Sequence, residues 1–173
     1  RPSAPDSVVL NVPARSSNDP SVALEQELSR TPRNEVTAAK LAELYVERAR
    51  RERDQRYFGR AEVLLQPWLQ RAEALGSTLR VQADILQNRH DFAGSLRLLD
   101  RAIARDPQDA AARLMRASIT LVQGRPAEAR GDCAIVLASG NAAAGTVCFA
   151  QVLGAMGQLA KAEVLLGNLL QRD

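Results

Sequence analysis

The sequence predicts an all-α fold, an α-solenoid of antiparallel helix pairs with about nine helices. Three observations carry this. Ala and Leu dominate and only six residues are aromatic, a composition that favours helices whose small side chains let neighbours approach closely. The segments "HDFAGSLRLLDRA" from His90, "GRPAEARGDCAIV" from Gly124 and "GQLAKAEVLLGNL" from Gly157 align without gaps at offsets of 34 and then 33 residues. A fixed period of that size marks stacked helical hairpins. Within each period a small residue recurs where two antiparallel helices must cross: Ala83 with Ser95, Ala117 with Ala129, Ala150 with Ala162.

The elements follow in chain order. Residues 1–18 contain Pro2, Pro5 and Pro13 and no helical period, so they read as an extended arm, whose apolar "SVVLNV" could lie along the helices. Residues 19–34 read as a half repeat, with Asp19 as N-cap, Pro20 at the first helical position and Pro32 as the stop. Residues 35–75 form a first hairpin if an insertion of seven residues is allowed in "ERARRERDQR". These are strong helix formers without a breaker, so they are expected to lengthen the first helix by about two turns. Pro67 is expected to kink the second helix before Trp68. Three regular hairpins follow at 76–109, 110–142 and 143–173. Gly124 and Gly157 end first helices, where the left-handed cap conformation suits glycine, and His90 holds the same place one hairpin earlier.

Charge excludes little. The net charge of +3 is nearly all arginine, since Lys occurs only at Lys40 and Lys161, and it is interleaved with Asp and Glu. This reads as a compositional bias, and no nucleic acid is expected as a partner. The Arg-rich stretch 48–60 reads as a solvated helix, with Glu47–Arg51 and Glu52–Arg56 as stabilising i, i+4 pairs, and secondarily as a docking surface. No run approaches the roughly 18 residues needed to span a bilayer, so membrane insertion is not expected. The chain opens at Arg1 and not at Met, so the lack of a leader says nothing about location.

No chemistry-bearing constellation is present. His90 is the only histidine, which leaves neither a histidine metal site nor a Ser-His-Asp triad with further support. No phosphate loop, H-E-x-x-H or C-x-x-C occurs. No cofactor and no enzymatic activity are expected.

Taken over roughly residues 35–173, these matches resemble the tetratricopeptide repeat family. Leu79, Ala83 and Leu86, then Ser95, Leu99, Ala102 and Pro107, fill its apolar, small and terminator positions. Ala117, Ala129, Cys133 and Val136 fill them again, and so do Phe149, Ala150, Leu153, Ala162, Leu166 and Leu169. The large aromatics usual in the family are mostly Leu, Cys or Ala here, and Gln82 replaces a usual Leu.

The resemblance implies a right-handed superhelix whose first helices line a concave groove for a protein or peptide. Carried across, the groove positions are Ser77, Arg80, Asp84, Gln87 and Asn88, then Ala111, Leu114, Ser118, Leu121 and Val122, then Ala144, Val147, Gln151, Gly154 and Ala155. Arg80 is the only cation among them and Asp84 stands where an Asn is needed, so the family's chaperone-tail binding is not expected. The family also packs the helix of Cys133 against that of Cys148. A disulfide there would close a 15-residue loop worth roughly 3 kcal/mol and place the protein outside the cytoplasm, in a periplasm or otherwise exported. Two small buried thiols in a cytoplasmic protein are the alternative.

The expected function is therefore a non-enzymatic scaffold or adaptor. The alternative is a structural or assembly protein that forms homo-oligomers through its C-terminal helix, which is apolar over a wide face and lacks the polar cap a solenoid needs.

Overall fold

The computed structural model describes residues 19–171 and is entirely helical among them. The arm expected at 1–18 lies outside the described residues. Nine helices are seen: α1 (Pro20–Arg30), α2 (Glu35–Glu52), α3 (Arg56–Leu69), α4 (Gly76–Asn88), α5 (Phe92–Arg105), α6 (Ala110–Val122), α7 (Pro126–Ala138), α8 (Ala142–Ala155) and α9 (Leu159–Leu170).

Local chemistry explains where they begin and end. Asp19, Asn34, Asp91 and Asp109 cap α1, α2, α5 and α6, each accepting a backbone N–H of the first turn, which satisfies donors that a helix start otherwise leaves unpaired. Helix α4 has no such residue before it. Glu35 serves it from α2, its Oε1 accepting the Leu75 N–H at 2.7 Å and the Thr78 hydroxyl at 2.8 Å. The turns after α4, α6 and α8 each place one residue in the left-handed region, His90 at φ 61°, Gly124 at 72° and Gly157 at 75°. A side chain there carries a steric cost that glycine avoids, so His90 is a strained version of the same turn.

Short turns make α2–α3, α4–α5, α6–α7 and α8–α9 antiparallel hairpins, with α1 against α2. The backbones of the first helices α2, α4, α6 and α8 come close in succession, whereas those of successive second helices stay further apart and each second helix packs on the next first helix, α3 on α4, α5 on α6 and α7 on α8. Each hairpin therefore stacks on the next through both of its helices. Each hairpin closes on the small pair the sequence indicates, and Ala42, Ala61, Ala83, Ser95, Ala117, Ala129, Ala150 and Ala162 are all buried. The Ser95 hydroxyl reaches across to donate to the Ala83 carbonyl at 2.8 Å.

The expectations for α2 need correcting. Helix α2 has 18 residues against 13 in α4, an extension of about one and a half turns and not two. Arg53, left-handed at φ 54°, ends it, and the rest of the insertion forms the turn to α3. The pairs Glu47–Arg51 and Glu52–Arg56 do not form. Glu52 instead meets Arg48 and Arg51, and Arg56 folds back onto Asp54, holding that carboxyl below its ordinary range through its hydrogen bond. Helix α3 continues through Pro67 to Leu69. Pro67 and Val63, whose carbonyl loses its partner, are both exposed, so water can take that carbonyl.

The core thins along the chain. Between α2, α3 and α4 it holds Leu41, Tyr45, Phe58, Leu65 and Ile85, and around α4, α5 and α6 it holds Leu79, Leu99, Ile103 and Ile119. Its last portion consists of Ala117, Ala129, Cys133, Cys148 and Val152. Burying a Leu or Phe side chain is worth about 1.5–3 kcal/mol, and Ala and Cys supply less. The covalent bond falls at this weakest place. The sulfurs of Cys133 in α7 and Cys148 in α8 lie 1.98 Å apart and their Cα atoms 5.5 Å apart. Beside them a Cβ on Gly145 would stand 2.7 Å from the Leu137 backbone, so the junction closes only because that residue is glycine.

Replacing both cysteines with serine is expected to lower the unfolding free energy by roughly 3 kcal/mol, read from urea titrations of oxidised protein. The wild type under reductant should approach the same midpoint.

Candidate functional site

The first helices α2, α4 and α6 line a groove of about 180 Å³. Helix α2 contributes Glu43, Val46, Glu47 and Arg50, helix α4 contributes Ser77, Arg80, Val81 and Asp84, and α6 adds Ala111 and Met115. Of the positions expected from sequence, Ser77, Arg80, Asp84 and Ala111 lie here. Gln87 and Asn88 come one turn further along α4. Leu114 and Leu121 turn inward against the last core cluster. Ser118, Val122, Val147 and Gln151 are exposed on α6 and α8 but do not line the groove. Of the rest on α8, Ala144 and Gly154 are half-buried and Ala155 is exposed.

The α2 residues were missed because the groove positions were carried only onto the three regular hairpins, although Glu43, Val46 and Glu47 precede or open the insertion and hold the same places in the first hairpin. Their charge matters most. Arg80 pairs with Asp109, the N-cap of α6, and Arg50 pairs with Asp84, while Asn88 donates to the Asp84 carbonyl at 2.8 Å. Arg80 and Asp84, expected to receive a partner, are thus engaged in holding α2, α4 and α6 together. Glu43 and Glu47, one turn apart and exposed, make no ion pair or hydrogen bond among the described residues. In a chain of net charge +3, the uncompensated charge of this groove is negative.

The Arg-rich stretch is likewise turned inward in part. Arg48 pairs with Asp19, and its hydrogen bond holds that carboxyl down to about 2, helped by the Ser21 N–H. Arg48 and Arg60 also lie over the Tyr57 ring, 5.3 and 5.2 Å from its centroid.

One charged cluster has the burial that catalysis often requires, and its geometry is structural. Arg113 and Arg116 of α6 both donate to Asp132 of α7, Arg113 Nη1 at 2.8 Å to Oδ1, Arg116 Nη2 at 2.6 Å to Oδ1 and Nε at 2.8 Å to Oδ2. Arg116 also reaches Asp100 of α5 at 2.7 Å, and Arg113 the Pro107 carbonyl at 2.7 Å. The Asp132 hydrogen bond raises the Arg116 guanidinium above its ordinary value. These bonds tie α5, α6 and α7 together. Among the described residues no group of three or more His, Cys, Asp or Glu could hold a metal ion, and no helix is long and apolar enough to cross a membrane.

No family model, characterised protein or solved structure matches this chain. What it does has to be argued from its own surfaces.

Asp132→Ala would leave two guanidiniums facing a buried gap, and such a loss costs about 3–5 kcal/mol. Chemical denaturation should show it, with a much smaller loss for Asp100→Ala, since Asp100 is exposed.

Proposed function

We propose that the chain is a non-enzymatic scaffold that binds a protein or peptide segment along its first helices, as members of the tetratricopeptide repeat family do. The carrying observation is the groove across α2, α4 and α6, whose arginines are already answered by Asp84 and Asp109. The remaining Glu43 and Glu47 favour a segment with Lys or Arg, beside an apolar residue for the half-buried Met115. Charge-assisted contacts of this kind give such a shallow site its specificity more than its affinity. The cysteine pair at bonding distance supports an exported, periplasmic setting, because disulfides persist in oxidising compartments.

Panning a random peptide library against the protein should enrich segments with a basic residue next to an apolar one. Their affinity should fall at least tenfold for Glu43→Gln/Glu47→Gln with the helical spectrum unchanged. Enrichment that ignores both glutamates would remove the groove as the site.

A second reading rests on α9, where Leu159, Leu166 and Leu170 share one stripe and are exposed by 69%, 37% and 78%. Such a stripe suits self-association through that helix. Sedimentation across a hundredfold concentration range should then show a dimer that Leu166→Glu/Leu170→Glu abolishes. A monomer at every concentration discards this reading.

A further inference from the structure

We propose that the slot between α7 and α9 binds a medium-chain aliphatic carboxylate. Because the backbones of α7 and α9 stay apart, the two helices leave a cavity of about 390 Å³ floored by α8. That is within the roughly 300–1,000 Å³ of small-molecule sites. The floor is Phe149, Val152 and Leu153, the walls are Leu137 and Leu165, and Met156 closes the end of α8. Leu137 and Met156 are 42% and 49% exposed, so this apolar surface is open to a ligand and not sealed by the fold.

The slot has a direction. Helices α7 and α9 both run antiparallel to α8, which brings the start of α7 and the start of α9 to the same end of the slot. The two cations among its lining residues, Arg130 and Lys161, come from the second turn of α7 and the first turn of α9. Leu137 lies about 10 Å further along α7, at 1.5 Å per residue, and Leu165 one turn further along α9. The slot is therefore cationic at one end and mostly apolar along its length, with Thr146 its one hydroxyl residue.

No Asp or Glu lines it. Nearby carboxylates are turned elsewhere: Asp132 to the α6 arginines and Glu128 to Arg125, while Glu163 lies on the far flank of α9. Arg130 makes no ion pair or hydrogen bond among the described residues, unlike most arginines of α2–α6. Lys161 Nζ donates only to Gln158 Oε1, at 2.9 Å, and retains donors for a second acceptor. Helix α9 has no side-chain cap, so its first turn adds partial positive charge at the same end.

Size and hydrogen bonding select the ligand class. At about 30 Å³ per water-sized group, the cavity takes about a dozen non-hydrogen atoms, the size of a ten-carbon acid. An extended peptide as long as the slot would fill that volume largely with its own backbone atoms and leave little for side chains. An aliphatic carboxylate brings one polar group, and the polar end receives it.

Calorimetric titration with decanoate, below its micellar concentration, tests this on the oxidised protein, with decyltrimethylammonium as the charge-reversed control and Arg130→Gln/Lys161→Gln as the variant. Both residues are exposed, and circular dichroism checks that the helices persist. One-to-one binding of decanoate is expected, at least tenfold tighter than the cationic amphiphile and at least tenfold weaker in the variant. Absence of one-to-one binding, or a smaller difference in either comparison, would overturn the proposal.

Discussion

The whole arrangement depends on how closely two helices can approach at the middle of each hairpin. Ala42 against Ala61, Ala83 against Ser95, Ala117 against Ala129 and Ala150 against Ala162 are buried with almost no side chain between the backbones. A larger residue at any of these would force the helices apart and impose the strain of an overpacked core. The close approach sets the hairpin angle. Through it, the backbones of the first helices come close in succession while those of successive second helices stay further apart, and both surfaces discussed above are products of that geometry. The groove forms where first helices come close, and the slot forms where second helices stay further apart.

Stacking hairpins buries less apolar surface at each junction than a globular core does, and arginine supplements it. Arg50 ties α2 to α4, and Arg80 ties α4 to the cap of α6. Arg89 bridges to Glu62 of α3. From α5, Arg101 donates to the Leu69 and Arg71 carbonyls and Arg105 to that of Ala72, closing the end of α3 and its turn. The planar guanidinium suits this, because it presents several donors at fixed angles and can span two acceptors. Where the core is poorest, at α6–α8, the ties are strongest: the buried Arg113–Asp132–Arg116 cluster and the Cys133–Cys148 bond.

This distribution of charge also divides the surfaces. Arginines engaged in junctions leave Glu43 and Glu47 to give the groove its sign, while Arg130 and Lys161, outside any junction, give the slot the opposite sign. A net charge of +3 predicts neither, because recognition responds to charges left unpaired and not to their sum.

Helix number, the hairpin crossings and the left-handed turns were legible in the sequence because each follows from neighbours in the chain: the 34-residue period, a small residue at a fixed place, Gly124, Gly157 and His90 after a first helix. The cap at Asp19 belongs with these. The Glu35 cap on α4, the pairing of Arg80 with Asp109 and the burial of Arg113 and Arg116 did not, since each joins residues on different helices and depends on the stacking. Arg113 and Arg116 occupy helix positions where apolar residues belong, so the pattern simply seemed to lapse there. The sequence by itself determined an all-helical chain of paired helices, because local periodicity and backbone preference suffice for that. Only the tertiary structure decided which charges are paired and which remain for a ligand, because ion pairing is set by distances in space.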